Sequence, residues 1–256
     1  MDVVALIALG TPVEVEAPLL AADLGMTAYE TALMLRVPSP MPILRSDDRA
    51  RAVDLVTKLR ARGHDVVACD LAAVATGDGL ATVRSFRLEA DAFVADERRV
   101  AWTDILAIVR AMHRTSTEKV TTTERTRLSL GRAALTGGLA FTKTDKQQTK
   151  VTNEEREQVL YLFTSSGPML VPQMRVKYEG LGPHLRPLQL ENFTTLLRLV
   201  REHAPLAPYD ERLLQPRPAQ ERVRTLSSAQ KTTTSAEGVD LLAHLVAMAI
   251  ARPPYR

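Results

Sequence analysis

The chain is 256 residues long, 45% hydrophobic and 25% charged, a composition that fits a packed globular protein and excludes an intrinsically disordered one. Its net charge of +3 comes from 33 basic residues against 30 acidic ones, so charge alone does not mark a nucleic-acid-binding protein. One cysteine, Cys69, excludes an intrachain disulfide and a thiolate zinc cluster, and 4% aromatic residues leave few rings to stack on bases.

Residues 1–9 are apolar but carry Asp2 where a secretory signal needs a basic residue, so they are expected to form a first strand. No run approaches the roughly 18 apolar residues of a membrane span, and a cytoplasmic location is expected. Val15, Leu19, Leu20 and Leu24 have helical spacing, with Gly25 as the stop. Thr27 and Glu30 form a capping-box pattern that opens a second helix through Leu35, and Pro38, Pro40 and Pro42 end it. Ile43 and Leu44 suggest a short strand. Asp47 or Asp48 caps the next helix, whose stripe is Ala52, Val53, Leu55, Val56 and Leu59 up to Gly63. Residues 64–69 form a last strand. The order is βααβαβ, a small domain over residues 1–75, with a right-handed crossover expected through residues 48–62.

Leu24-Gly25 before the capped helix, Glu30 near its start, the pair Met34-Leu35, and Gly63 before the alternating residues 65–69 resemble the C-terminal domain of the bacterial ribosomal stalk protein. The resemblance covers the first 70 or so residues and implies three strands under three helices. In that family two lysines on the middle helix contact translation factors. Tyr29 and Ala32 stand at those positions here, so the factor-binding role is not implied.

After a junction at residues 72–79, Val83, Ser85, Arg87 and Glu89 alternate with Arg84, Phe86 and Leu88 as a half-buried strand does. Residues 92–95 and 99–102 suggest two more strands. Residues 105–112 suit a strand or a helix by composition and are assigned as a strand. Residues 159–163 and 169–178 read as strands around the turn Ser165-Ser166-Gly167-Pro168. An amphipathic helix follows, with Leu190, Phe193, Leu196, Leu197 and Val200 on one face. By element order, residues 80–206 resemble a pleckstrin-homology-like domain with a basic, Thr-rich insertion at 114–150. Members that bind lipid headgroups use basic residues between their first two strands, whereas Glu89-Ala90-Asp91 stands there in this chain. The expected class is therefore α+β: a βααβαβ domain, a mainly antiparallel β domain capped by a helix, and a C-terminal helix.

Residues 207–256 are expected to be a Pro/Ser/Thr linker, with Pro208, Pro216, Pro218 and the run Thr232-Thr233-Thr234, followed by an apolar helix at 238–251. Leu241, Leu242, Leu245 and Met248 mark that helix as an interaction helix that packs on its own chain or across a dimer. Its removal is expected to leave a folded but less soluble protein.

The five histidines lack metal-ligand spacing, Ser165-Ser166-Gly167 lacks the nucleophile-elbow pattern, and Asp47-Asp48 and Glu154-Glu155 fit helix starts or loops. No catalytic residue, metal or cofactor is expected. The unusual stretch is 114–150, with eight basic residues against three acidic ones, an excess larger than the net charge of the whole chain. Arg125, Arg127, Arg132, Gly137, Gly138, Lys143 and Lys146 are its candidate anion-binding residues, the glycines allowing backbone amides to converge. The leading expectation is a non-enzymatic interaction or regulatory protein with a protein partner or a second copy of itself. The alternatives are binding of nucleic acid or another anionic ligand through 114–150, and an enzyme of unfamiliar type.

Overall fold

The computed structural model describes residues 1–128, 142–215, 222–226 and 230–251, and the chain is mixed α+β. β1 (Asp2–Ala8) is the middle strand of a three-stranded sheet, with β2 (Met41–Ser46) and β3 (Asp65–Asp70) antiparallel to it on either side. Every residue from Val3 to Ile7 is buried because both faces of the strand are covered. On one face Val4 and Leu6 meet α1 (Val13–Leu24), α2 (Ala28–Leu35) and α3 (Arg49–Ala61) through Ala17, Leu20, Leu35, Leu55 and Leu59. The helix ends follow local chemistry. Gly25 stops α1 with φ 72°, Thr27 and Glu30 close a reciprocal capping box on α2, and the Asp48 carboxylate accepts from the amides of Ala50 and Arg51.

From β3 the chain passes through two short 3-10 turns, Leu71–Ala73 and Gly77–Gly79, to β4 (Ala81–Thr82). β5 (Phe86–Leu88), β6 (Ala92–Ala95) and β7 (Arg98–Ala101) form a small antiparallel sheet. β8 (Ile105–Leu128) and β9 (Thr142–Thr164) then make one long hairpin ladder, which continues to β10 (Gly167–Pro172). α4 (Gln189–His203), β11 (Tyr209–Leu213), β12 (Arg222–Leu226), β13 (Gln230–Thr234) and α5 (Ala236–Ile250) complete the described chain. The large sheet runs β12-β13-β8-β9-β10-β4, with β11 parallel to β8 over Ile108 to Ala111 and β13 antiparallel to it over Thr115 to Lys119.

The two faces of the large sheet explain why residues 105–112 are strand. Ile105 and Ile108 join Leu160 and Leu162 under α4, against Phe193, Leu196 and Val200. Ala107, Val109 and Ala111 join Val159, Tyr161 and Phe163 on the opposite face, against α5. A period of two with both sets buried gives a continuous apolar run, which composition alone does not separate from a helix.

Three sequence expectations change. Residues 1–75 and the body, read as separate domains, share one core: α5 lies between the sheets and packs Leu241, Leu242, Leu245 and Val246 against Val3, Ala5, Ile7 and Val67 as well as against the large sheet. Residues 114–150, read as an insertion, extend β8 and β9 themselves as far as Leu128 and Thr142. The segment 207–235, read as a linker, contains β11, β12 and β13, and Thr232 to Thr234 pair with Thr117 to Thr115 of β8. β-branched Thr suits a half-buried pleat, and here that preference prevails over the polar, linker-like composition.

Candidate functional site

A cleft of about 770 Å³ opens where the Gly77–Gly79 turn, β4, the end of β10 and the start of α5 meet beside β8. That size lies within the usual range for a small-molecule site. Arg84, Arg175 and Lys177 line it together with Asp78, Glu237 and Asp240, and Thr82, Thr234 and His113 add polar groups. Lys177 donates its amide to the Arg84 carbonyl at 2.8 Å, which holds the two cations on adjacent segments. The turn that carries Asp78 lies against α5, since a Cβ at Gly77 would stand 3.7 Å from the Glu237 side chain. Among the described residues neither Arg84 nor Lys177 forms an ion pair, while Arg175 reaches Glu157 at 3.5 Å.

Beside the cleft is a buried polar chain. The Tyr161 hydroxyl donates to Asp240 Oδ1 at 2.5 Å, and Asp240 Oδ2 accepts from the Gly77 amide at 2.8 Å. Because the phenol proton goes to Asp240, the Tyr161 oxygen accepts from His113 Nε2 at 2.7 Å, which puts a proton on that nitrogen. Burial, then the Asp240 charge, holds the Tyr161 phenol well above its ordinary range, so it stays a neutral donor. Asp240 is 3% exposed, and this chain is what allows a carboxylate so deep in the fold. It ties the turn after β3, the large sheet and the first turn of α5 to one another.

A second buried cluster lies in the β2-β1-β3 unit. Glu16 stands 2.8 Å from both His64 Nε2 and Arg62 Nη2, and Arg62 also reaches Asp23 at 2.9 Å. The approaches to Glu16 are close in distance but not aligned as hydrogen bonds, so Glu16 is held by charge more than by directed bonds. The Gly10 amide donates to His64 Nδ1 at 3.0 Å, which makes that nitrogen an acceptor and leaves the imidazole neutral. No group of histidine, cysteine and carboxylate side chains suited to a metal ion occurs among the described residues. Burial pushes the half-buried Cys69 thiol up to about 11, which is not the environment of a reactive thiolate.

Of the residues expected from the sequence, Arg125 and Arg127 lie on β8 and Lys143 and Lys146 on β9. Arg132, Gly137 and Gly138 lie outside the described residues. Leu241, Leu242 and Leu245 are buried in the core and Met248 packs partly against it, within their own chain. The cleft residues were not anticipated. For the buried chain beside the cleft the signal is a polar residue interrupting an apolar run: Tyr161 within 159–163, Asp240 between Val239 and Leu241, and His113 just after 105–112.

No family model, curated protein or solved structure matches this chain. Among the described residues no helix is long and apolar enough to cross a membrane.

Proposed function

We propose that the protein is a non-enzymatic, ligand-responsive binding protein whose cleft takes a small amphoteric molecule, with one anionic group and an ammonium or hydroxyl-bearing end. The observation that carries this reading is that cations of both kinds, Arg84, Arg175 and Lys177, and the carboxylates Asp78, Glu237 and Asp240 line one cleft. A carboxylate or phosphate suits the cations, and hydrogen-bond donors suit the carboxylates. His113, Tyr161 and Asp240 bond to one another and support the site as a tie, which favours binding over acid-base turnover. The reading agrees with the interaction or regulatory role expected from the sequence, which rests on folds that commonly serve binding and on the missing catalytic constellation. The likeness of residues 80–206 to a pleckstrin-homology-like domain stays with it as a proposal about fold, supported by antiparallel strands followed by α4.

Thermal-shift titration of the purified chain with amino acids, phosphorylated amines, sugar phosphates and inorganic phosphate tests the proposal. A ligand at about 100 times its Kd stabilises the native state by about 2.7 kcal/mol, which a melting curve resolves. An amphoteric compound is expected to raise Tm, and the double substitution Arg84→Ala with Lys177→Ala is expected to abolish the shift. An equal shift with inorganic phosphate alone, or no shift with any of these classes, overturns it.

A further inference from the structure

Beyond Lys119, which pairs with Gln230 of β13, no third strand accompanies β8 and β9 among the described residues. The nine rungs from Val120↔Lys150 to Leu128↔Thr142 thus form a two-stranded arm. At about 3.4 Å per residue it extends roughly 30 Å. A two-stranded ribbon without a hydrophobic face is marginal by itself in water, so its length is not accounted for by its own stability.

The arm's sequence is polar and basic. Arg125, Arg127, Lys143, Lys146 and Lys150 stand against Glu124 and Asp145, an excess of three that equals the net charge of the entire chain. The remainder of the protein is therefore neutral overall, and the arm carries the imbalance. Register sharpens this. Glu124 stands opposite Lys146 in the register and Arg125 opposite Asp145. Arg127 and Lys143 occupy opposite positions in the register, which puts two basic residues on one rung.

From these features we infer that the β8–β9 arm binds the phosphate backbone of double-stranded DNA. A two-stranded ribbon fits the major groove of B-form DNA, about 12 Å wide. The arm's strands contain no aromatic residue for stacking on unpaired bases, and their Lys, Arg and Thr content is that of backbone contacts. Binding is accordingly independent of base sequence and governed by counterion release. With three to five phosphates neutralised, raising salt from about 50 to 200 mM weakens it by on the order of 40- to 500-fold. This inference does not depend on the cleft or its ligand.

Fluorescence polarisation of the full chain with a labelled 30-base-pair duplex, across that salt range, tests it. Binding is expected at low salt, with equal affinity for duplexes of unrelated sequence. Arg127→Ala with Lys143→Ala is expected to lower the slope of log K against log salt by about 2 while the melting curve is retained. If that variant does not fold, Lys146→Gln with Lys150→Gln replaces it, with the same expected change. No duplex binding at 50 mM salt, an unchanged slope in the folded variants, or binding to phosphatidylserine vesicles without binding to the duplex each overturns the assignment.

Discussion

The Tyr161 hydroxyl and the Asp240 carboxylate, 79 positions apart in sequence, meet at 2.5 Å inside the core and join the large sheet to the last helix. Removing that hydroxyl takes the donor from Asp240 Oδ1 and the acceptor from His113 Nε2 and leaves those two atoms a 3.5 Å approach to each other. Tyr161→Phe is expected to destabilise the protein by about 1–3 kcal/mol, read as a lower urea midpoint with an unchanged m-value. An unchanged midpoint would show that the buried carboxylate does not rely on the phenol.

His244 on α5 offers a pH test. Burial lowers its pKa from 6.5 to about 4. The unfolded chain therefore takes up a proton near pH 6.5, whereas the native chain resists until about pH 4. The stability linked to this site is fully present above pH 6.5 and is lost as pH falls toward 4, by at most about 3 kcal/mol. His244→Gln removes the titration. The difference in unfolding free energy between wild type and variant should change across that window and stay constant above it, and parallel curves would contradict the assignment.

The place of α5 between two sheets changes what its loss should do. Leu245 is 0% exposed and packs in the core shared by both sheets. Leu245→Ala is expected to cost about 2–5 kcal/mol, and removal of residues 236–256 to abolish cooperative melting instead of leaving a folded, less soluble protein. Val53→Ala, at a position 57% exposed on α3, serves as a control expected within about 0.5 kcal/mol of wild type. A cooperative transition in the truncated chain would show that the sheets hold together without the helix.

Gly10 sits against the loop between α3 and β3. A Cβ there would lie 2.0 Å from the Gly63 carbonyl oxygen, a backbone atom, so one of the two loops would have to move. That movement also disturbs the Gly10 amide that donates to His64. Gly10→Ala is expected to destabilise by about 2–3 kcal/mol, while Gly79→Ala, where a Cβ meets open space, is the matched control. Equal melting temperatures for the two variants would contradict the close approach.

The amino-acid sequence by itself determined the local structure: the Thr27–Glu30 capping box, the Asp48 cap, the glycine stop at 25, the βααβαβ order and the amphipathic helix at Phe193. Each depends on partners within a few residues, or on a period of 2 or 3.6 that shows along the chain. It also marked residues 114–150 as basic, and the backbone of β8 and β9 placed Arg127 and Lys143 on one rung. Only the tertiary structure decided that the last helix lies between two sheets, that the Thr run at 232–234 is a strand, and that Arg84, Lys177, Asp78 and Glu237 line one cleft. The tie from Gly77 to Asp240 spans 163 positions. Such a bond has no period and no near neighbour, because its geometry exists only once the intervening chain has packed and excluded the water that would otherwise satisfy both groups.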